Sequence, residues 1–509
     1  MAAAPRLGPP IEMSGFGFPD STHFLSEHVT KELFQPNYQE LIASLRELEG
    51  NIAFPKIYQE TVLQPFIEYL EKSLGISEFE RIMDTSNDQL DQRDIDLKEL
   101  IRDVAEALLQ RDGRKYPVEA LQDLEAFQVI ASMLYQATTT SDILYTSPPP
   151  LALWTKAREL TSLAMTISAT QRVHINAEIV CLNPHYRDVG LLAWTTIGPE
   201  VAAHHLLGSH EGSIASIKEV VLNQLVNNEA HTQRFSCAKI LLMSQYLSER
   251  VKGIASDVLS VLNVGPSSSI GLISYLRGIR GGNLKNEGPF LTKTARKLKL
   301  TGLDQSLVID LEVPLDELEG KGVLGYLKGS DDEVLYEQVV YLGDPHPIDL
   351  LRPYTMLKII ELLEIDETLK KIWKTFIRKE LEKDLKGVAE IRLLRCSLPA
   401  DITDHPYESI PLDLAVEASE MAAEIIASEP QSTLNGRSLM DLVRWRASDE
   451  VCVSQIRNSM ASGSPLPSVA ISGGVARHII AATILESMEG GTVISQLFAK
   501  MKALLRNLR

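Results

Sequence analysis

The sequence predicts a mainly α-helical fold: a multi-helix, two-lobed body with flexible terminal arms and at most a small β element near residues 304–345. Apolar residues make up 44% of the chain but aromatic residues only 6%, so the core must consist mostly of aliphatic side chains and alanine. Such a core favours packed helices over β-sandwiches. Apolar residues also recur at helical spacing along most of the 509 residues, a length sufficient for more than one hydrophobic core.

The N-terminal part is predicted to comprise a flexible arm, residues 1–20, and an acidic N-terminal helical lobe, residues 21–137. Proline and glycine are frequent in the arm and oppose regular structure there. Stripes of apolar residues predict the helices of the lobe, which lie near 41–48, 56–74, 97–110 and 118–135. Pro65 is expected to kink or split the second of these helices, because it lacks an amide hydrogen.

The stretch TTTSDILYTSPPP, residues 138–150, is predicted to be a proline-rich linker, since three consecutive prolines cannot continue a helix. A central helical region with a basic segment follows over 151–303. Its helices are expected over 151–168 and 228–250, and Pro266 is expected to interrupt the helical pattern.

The C-terminal helical lobe is predicted over 304–461 and contains the least helical part of the sequence. Weak alternation of apolar residues there indicates two short strands, over 307–313 and 334–342. Helical patterns return over 355–385, 412–428 and 439–459. The stretch SGSPLPS then predicts that 462–509 is a linker followed by a C-terminal helical arm.

The residue types needed for catalysis do not come together in any recognisable motif. A GxGxxG pattern occurs at Gly320, Gly322 and Gly325, but it follows an acidic stretch rather than a clear strand. No Ser or Cys nucleophile has a motif around it that would activate it. We therefore predict that the protein is not an enzyme and that it needs no cofactor.

A metal site is not expected at the histidine cluster His204, His205 and His210. Adjacent residues on a helix point about 100° apart, so the first two histidines cannot act as a pair of ligands on one face. The four cysteines are widely spaced, which is typical of thiols in a reducing compartment. The chain begins without the apolar run of a signal peptide, and no apolar run reaches about 18 residues. We expect no membrane association and a cytoplasmic protein, with the nucleus as an alternative.

Charge is unevenly distributed along this acidic chain, whose net charge is −18. Residues 1–150 carry 12 basic and 25 acidic groups, whereas residues 151–310 carry 16 basic and 12 acidic groups. The excess of positive charge is concentrated in residues 274–300, which contain the single acid Glu287 and seven cations: Arg277, Arg280, Lys285, Lys293, Arg296, Lys297 and Lys299.

This basic segment is the candidate nucleic-acid-binding site of the sequence. Arg277 and Arg280 are spaced so that a helix would present both on one face, and the glycines between 278 and 282 allow close approach of the backbone to a ligand. Guanidinium and ammonium groups are typical ligands of phosphate oxygens, and Tyr275 and Phe290 are suited to stack on bases. The alternative is a solvated basic loop that pairs with the acidic N-terminal lobe of the same chain.

In its size, helical content, charge distribution and terminal arms, the chain resembles the nucleoproteins of negative-strand RNA viruses. The resemblance implies that RNA lies in a groove between two helical lobes, that the terminal arms mediate self-association, and that the protein is found in the virion. The alternative is a cellular helical scaffold or adaptor, an irregular solenoid whose acidic N-terminal lobe binds basic protein partners.

Overall fold

The structure is a computed structural model, and its described residues are 36–51, 54–113, 116–138, 148–155, 165–167, 172–182, 184, 186–197, 201, 212–276, 323–329, 334–340, 351–384, 388–394, 407–463, 475–489 and 494–508. They form a mainly α-helical fold, as predicted. Two compact units are present: a central unit within Leu206–Ser454, and a terminal unit within Ser26–His205 and Gln455–Arg509. The sequence predicts lobe boundaries at 138–150 and near 303, whereas the contacts divide at His205 and Ser454.

The N-terminal portion of the terminal unit is helical. Its helices are α1 Tyr38–Glu49, α2 Lys56–Tyr58, α3 Gln64–Glu68, α4 Gly75–Asp84, α5 Gln92–Leu109 and α6 Val118–Thr138. The Asn37 side chain accepts hydrogen bonds from the first turn of α1, and the Asp91 side chain does the same for α5. Both caps satisfy amide groups that have no partner within the helix.

Helices α2, α3 and α4 are joined by two π-helical segments, Gln59–Leu63 and Tyr69–Leu74. Pro65 lies in the first turn of α3. The missing amide hydrogen disrupts fewer hydrogen bonds there than it would in the interior of a helix. The sequence predicts a kink or split at Pro65. Instead, the hydrogen bonding is π-helical before and after the short α-helix that contains Pro65. The helical path continues past Pro65 without a loop.

A small three-stranded sheet follows, in the order β1-β3-β2, with β1 Leu151–Trp154, β2 Met165–Ile167 and β3 Ile179–Leu182. Strand β1 is parallel to β3, and β2 is antiparallel to it. The predicted helix over 151–168 is therefore wrong, because β1 and β2 lie in it. All four residues of β1 are buried, and a short run of consecutive apolar residues is as compatible with a buried strand as with a helix.

Glutamine side chains occupy the open edge of β1. Gln110, the residue after α5, donates to the carbonyl of Trp154 and accepts from its amide at 3.0 Å. Gln128 of α6 accepts from the amide of Ala152 at 2.9 Å and donates to the carbonyl of Pro150 at 2.8 Å. The two amide side chains thus act as a neighbouring strand would, and they tie the sheet to the helices. Short helices α7 Tyr186–Val189 and α8 Leu191–Trp194 come next.

The central unit is built around buried helices. Its elements, in chain order, are α9 Ser213–Val226, α10 Glu229–Arg234, α11 Cys237–Glu249, α12 Val251–Val264, α13 over 267–276, β4 Val323–Gly329, β5 Val334–Val340, α14 Arg352–Leu362, α15 Glu367–Asp384, β6 Val388–Leu394, β7 Tyr407–Pro411, α16 Leu412–Ser428, α17 Leu439–Leu442 and α18 Ala447–Ser462. The residues of α18 beyond Ser454 belong to the terminal unit. Helix α12 packs against α14 and α16, and nearly all its residues are buried.

The small β element predicted near 304–345 is present as the antiparallel pair β4 and β5. It belongs to a larger antiparallel sheet in the order β5-β4-β6-β7, whose other two strands lie beyond that range. The predicted strand over 334–342 corresponds to β5, whereas the one over 307–313 lies outside the described residues.

Two helices of the C-terminal segment complete the terminal unit: α19 Val475–Met488 and α20 Ile494–Arg506. The sequence predicts an arm over 462–509, but both helices pack against α6. The ring of Phe498 meets that of Trp194 edge-on at 5.1 Å, and the ammonium group of Lys502 lies 2.9 Å from Asp123. The apolar face of α20 is covered within the unit: its buried residues are Leu497, Phe498, Met501 and Leu505.

Candidate nucleic-acid interface

The seven cations of the basic segment lie outside the described residues: Arg277, Arg280, Lys285, Lys293, Arg296, Lys297 and Lys299. The same holds for Phe290 and for the histidine cluster His204, His205 and His210. The structure describes the chain up to Leu276, the residue immediately before the first of these cations. The structure therefore describes the helix that leads into the basic segment and other basic groups of the central unit.

Helix α13 leads into the basic segment, and the turn before it requires glycine. Gly265 has φ +77° and ψ −172°, a conformation that is open essentially to glycine alone. A Cβ atom at this position would overlap the indole ring of Trp445. Trp445 is itself buried and donates a hydrogen bond to Glu450 at 2.7 Å. The direction in which α13 leaves α12 is thus set by backbone geometry and by close packing.

Tyr275 belongs to the core of the central unit rather than to a binding surface. Its side chain is 0% exposed, and the apolar residues around it in sequence, Ile273 and Leu276, are also buried. The expectation that Tyr275 stacks on a base is therefore wrong. Its ring is in the core because it lies on α13, in which every described residue is buried. Burial of this helix holds residue 276, and with it the start of the basic segment, against the body of the unit.

A buried ion pair holds α12 against α14. Arg352 donates two hydrogen bonds to the carboxylate of Asp257, at 3.0 and 2.7 Å. Neither side chain is more than 3% exposed. A fork of two parallel bonds satisfies both charges, and removal of either partner would leave an uncompensated buried charge. The pair therefore serves the packing of the unit, and Arg352 is not available to a phosphate.

Among the described residues of the central unit, several surface cations are grouped on α15. A groove of about 260 Å³ is lined by Glu361, Glu367, Lys370, Lys371, Lys374, Thr375 and Arg378. Lys370 pairs with Glu367 at 2.7 Å, Lys374 with Glu361 at 2.9 Å and Arg378 with Glu420 at 3.5 Å. This face of α15 therefore carries both cations and carboxylates.

The carboxylates that neutralise this face come mainly from other helices. Glu361 belongs to α14 and Glu420 to α16, whereas the acids next to the cations in sequence, such as Glu380, are not their partners in these pairs. The hydrogen bond from Lys374 lowers the pKa of Glu361. Burial raises the pKa of Glu420 despite the positive charge of Arg378 nearby. The face is therefore close to neutral overall, and it offers a phosphate chain much less attraction than unpaired cations would.

Lys358 of α14 adds a cation that sequence reasoning missed. Its ammonium group lies 3.0 Å from Glu424. Burial lowers the pKa of Lys358, but the hydrogen bond and the charge of Glu424 outweigh it, so that the pKa is raised. Helical spacing places Lys358 and Glu361 on neighbouring positions of α14, which is the only signal in the sequence that they share a surface.

In the part of the chain that the structure describes, no group of three or more His, Cys, Asp or Glu side chains is arranged to hold a metal ion. None of the helices in that part is both long and apolar enough to cross a membrane. Comparison with known proteins gives no relative: no family model, no curated protein and no solved structure matches the chain.

Proposed function

We propose that this protein packages nucleic acid, RNA in particular, and that residues 277–299 bind the phosphate backbone without catalysing a reaction. The observation that carries the proposal is the concentration of seven cations against one acid in an otherwise anionic chain. A cluster of this kind releases counterions when it binds a polyanion, and this release gives affinity independent of base sequence.

The described chain is anchored immediately before the first of these cations. Leu276, the residue before Arg277, is 3% exposed, and the helix to which it belongs is buried. A binding segment held to a rigid body loses less conformational freedom on binding than an unanchored one. The same protein would self-associate along the RNA and reside in the cytoplasm or in a virion, as the resemblance to viral nucleoproteins implies.

A helical scaffold is the second candidate, and the groove on α15 favours it. Cations and carboxylates alternate around that groove, with Lys374 and Glu361 2.9 Å apart. Mixed-charge surfaces of this kind give specificity in contacts between proteins. On this alternative, the basic segment contacts protein carboxylates, and the chain has no affinity for RNA.

Filter binding of the full chain to single-stranded RNA separates the two candidates. We expect the Arg277→Ala/Arg280→Ala double variant to bind about ten-fold more weakly, because two charge-assisted contacts with phosphate are lost. The matched control is Lys56→Ala/Lys72→Ala, which removes two lysines of the terminal unit whose side chains are 83% and 69% exposed. Equal losses in the two double variants, or no binding by the unaltered chain at low salt, would contradict the proposal.

A further inference from the structure

A second concave site lies in the terminal unit, away from the basic segment in sequence. A cavity of about 450 Å³ is lined by Tyr69, Arg93, Leu97 and Arg172. Its volume is in the range typical of sites for small molecules. One wall is apolar and aromatic, from Leu97 and the buried ring of Tyr69, and two guanidinium groups lie beside it.

The two arginines have few partners among the residues that the structure describes. Arg93 has no ion-pair or hydrogen-bond partner among the side chains that the structure describes, and it lies in the first turn of α5. A cation there faces the positive end of the helix dipole, which is unfavourable unless an anion is near. Arg172 has one long contact, 3.6 Å, with Asp96, whose carboxylate also accepts a hydrogen bond from Gln92.

Negative charge near the cavity is largely engaged elsewhere. Burial raises the pKa of Tyr69, and the negative charge of Glu78 raises it further. Glu78 is itself held by Arg81, with oxygen–nitrogen distances of 2.6 and 2.8 Å. Asp96 is thus the carboxylate that competes for Arg172 among the described residues, and none of those residues forms an ion pair with Arg93.

Two local distortions of the backbone occur at Tyr69, which lines the cavity, and at His174, which contacts the Tyr69 ring. Tyr69 begins the π-helical segment Tyr69–Leu74, and His174 has a left-handed conformation with φ +62°. The His174 ring stands edge-on to that of Tyr69, with 5.3 Å between their centroids. Left-handed conformation is costly for a residue with a side chain, and π-helical turns and such strained residues are concentrated at functional sites.

We propose that this cavity binds a mononucleotide: a phosphate monoester that carries a planar ring. The phosphate group, with close to two negative charges, matches Arg93 and Arg172, since guanidinium groups form paired hydrogen bonds with phosphate oxygens. The ring packs on Leu97 and Tyr69. The site is separate in its residues from the proposed RNA-binding segment and does not depend on it.

Calorimetric titration of the full chain with AMP tests this site, with inorganic phosphate and adenosine as separate probes. We expect AMP to bind at one site per chain, at least about ten-fold more tightly than either fragment, because it uses both the arginines and the apolar wall. Arg93→Gln is expected to weaken AMP binding by about ten-fold, and Arg172→Gln should have a similar effect.

Lys56→Gln is the matched control, since its side chain is exposed in the same unit and does not line the cavity. Both arginines are exposed as well, so neither substitution should impair folding, and an unchanged melting temperature verifies this. The proposal is overturned if AMP gives no heat of binding at about 1 mM, if phosphate alone binds as tightly as AMP, or if the arginine variants retain full affinity.

Discussion

Gly265 shows how one residue sets the path of the chain into the candidate interface. Its backbone conformation, φ +77° and ψ −172°, is closed to residues with a side chain, and the ring of Trp445 occupies the space that a Cβ would need. Gly75 has nearly the same conformation, φ +73° and ψ +163°, but nothing lies within 4 Å of its missing Cβ. A side chain at either position would bear the energetic cost of the backbone conformation, but only at Gly265 would it also overlap Trp445.

We expect Gly265→Ala to lower the free energy of unfolding by about 2 kcal/mol more than Gly75→Ala does. Both variants bear the conformational strain, but only the first must also displace Trp445 from a packed core. Urea denaturation, followed by tryptophan fluorescence, measures the difference. Equal losses would show that the Trp445 ring moves aside without cost.

Individual residues also mark the limit of what a pattern can predict about the site. Tyr275 lies one residue from the core position Ser274 and two from the cation Arg277. The sequence alone therefore does not decide whether its ring lies in the core or at the binding segment. Burial of the whole of α13 decides that Tyr275 belongs to the core. Similarly, nothing in the sequence relates Arg93 to Arg172, because 78 residues separate them and only the tertiary fold brings them to one cavity.

At the scale of elements, β1 shows why a strand was mistaken for a helix. Leu151–Trp154 is apolar throughout, so it has neither the period of a helix nor the alternation of a half-exposed strand. What makes it a strand is long-range: β3 pairs with one edge, and Gln110 and Gln128 pair with the other. Helix propensity of leucine and alanine is a weak preference that such contacts override.

Gln110→Leu tests this edge. The substitution leaves the buried amide and carbonyl of Trp154 without a partner, and we expect the free energy of unfolding to fall by about 3 kcal/mol. Amide hydrogen exchange at Trp154 should accelerate as well. Gln89→Leu is the control, because Gln89 is exposed and should alter stability by no more than about 0.5 kcal/mol. Unchanged exchange at Trp154 in Gln110→Leu would mean that the glutamine does not hold the strand.

Helices were predicted more reliably than their ends. The pattern over 355–385 predicts one helix, whereas the structure has α14 and α15 with a break between them. Asp366 causes the second start, since its carboxylate accepts hydrogen bonds from the amides of Thr368 and Leu369, at 2.9 and 3.2 Å. An aspartate inside a periodic stretch is a capping signal that apolar spacing does not reveal.

At the scale of the whole molecule, the C-terminal segment is part of the terminal unit. The sequence suggests an arm because a proline- and glycine-containing stretch precedes it, but the apolar face of α20 then needs a partner. Phe498, Trp194, Trp154 and Phe127 form a chain of ring contacts with centroid distances of 4.8 to 5.9 Å. Residues far apart in sequence thus share one core, which periodicity within a single helix cannot predict.

Phe498→Ala tests this assignment. Removal of a buried ring is expected to lower the free energy of unfolding by about 4 kcal/mol, because a cavity is left among the aromatic side chains. Lys500→Ala, at an exposed position of the same helix, should leave stability nearly unchanged. A C-terminal arm that acts only between chains predicts the opposite for Phe498→Ala: unchanged thermal stability and weaker self-association in light scattering.

The mainly helical class and the small β element near 304–345 were predictable, since each depends on local composition or spacing. The three-stranded sheet, the division of the chain at His205 and Ser454 and the cavity beside Tyr69 were not, since each depends on contacts between distant segments. The basic segment remains a prediction from charge.

The salt dependence of RNA binding tests the central functional claim most directly. For a single strand, the logarithm of the binding constant falls with the logarithm of salt concentration by about 0.7 for each phosphate neutralised. If all seven cations of residues 277–299 contact phosphate, the slope should approach about −5, and the Arg277→Ala/Arg280→Ala variant should reduce its magnitude by about 1.4. A slope near zero, or one that the substitution leaves unchanged, would contradict RNA binding by this segment.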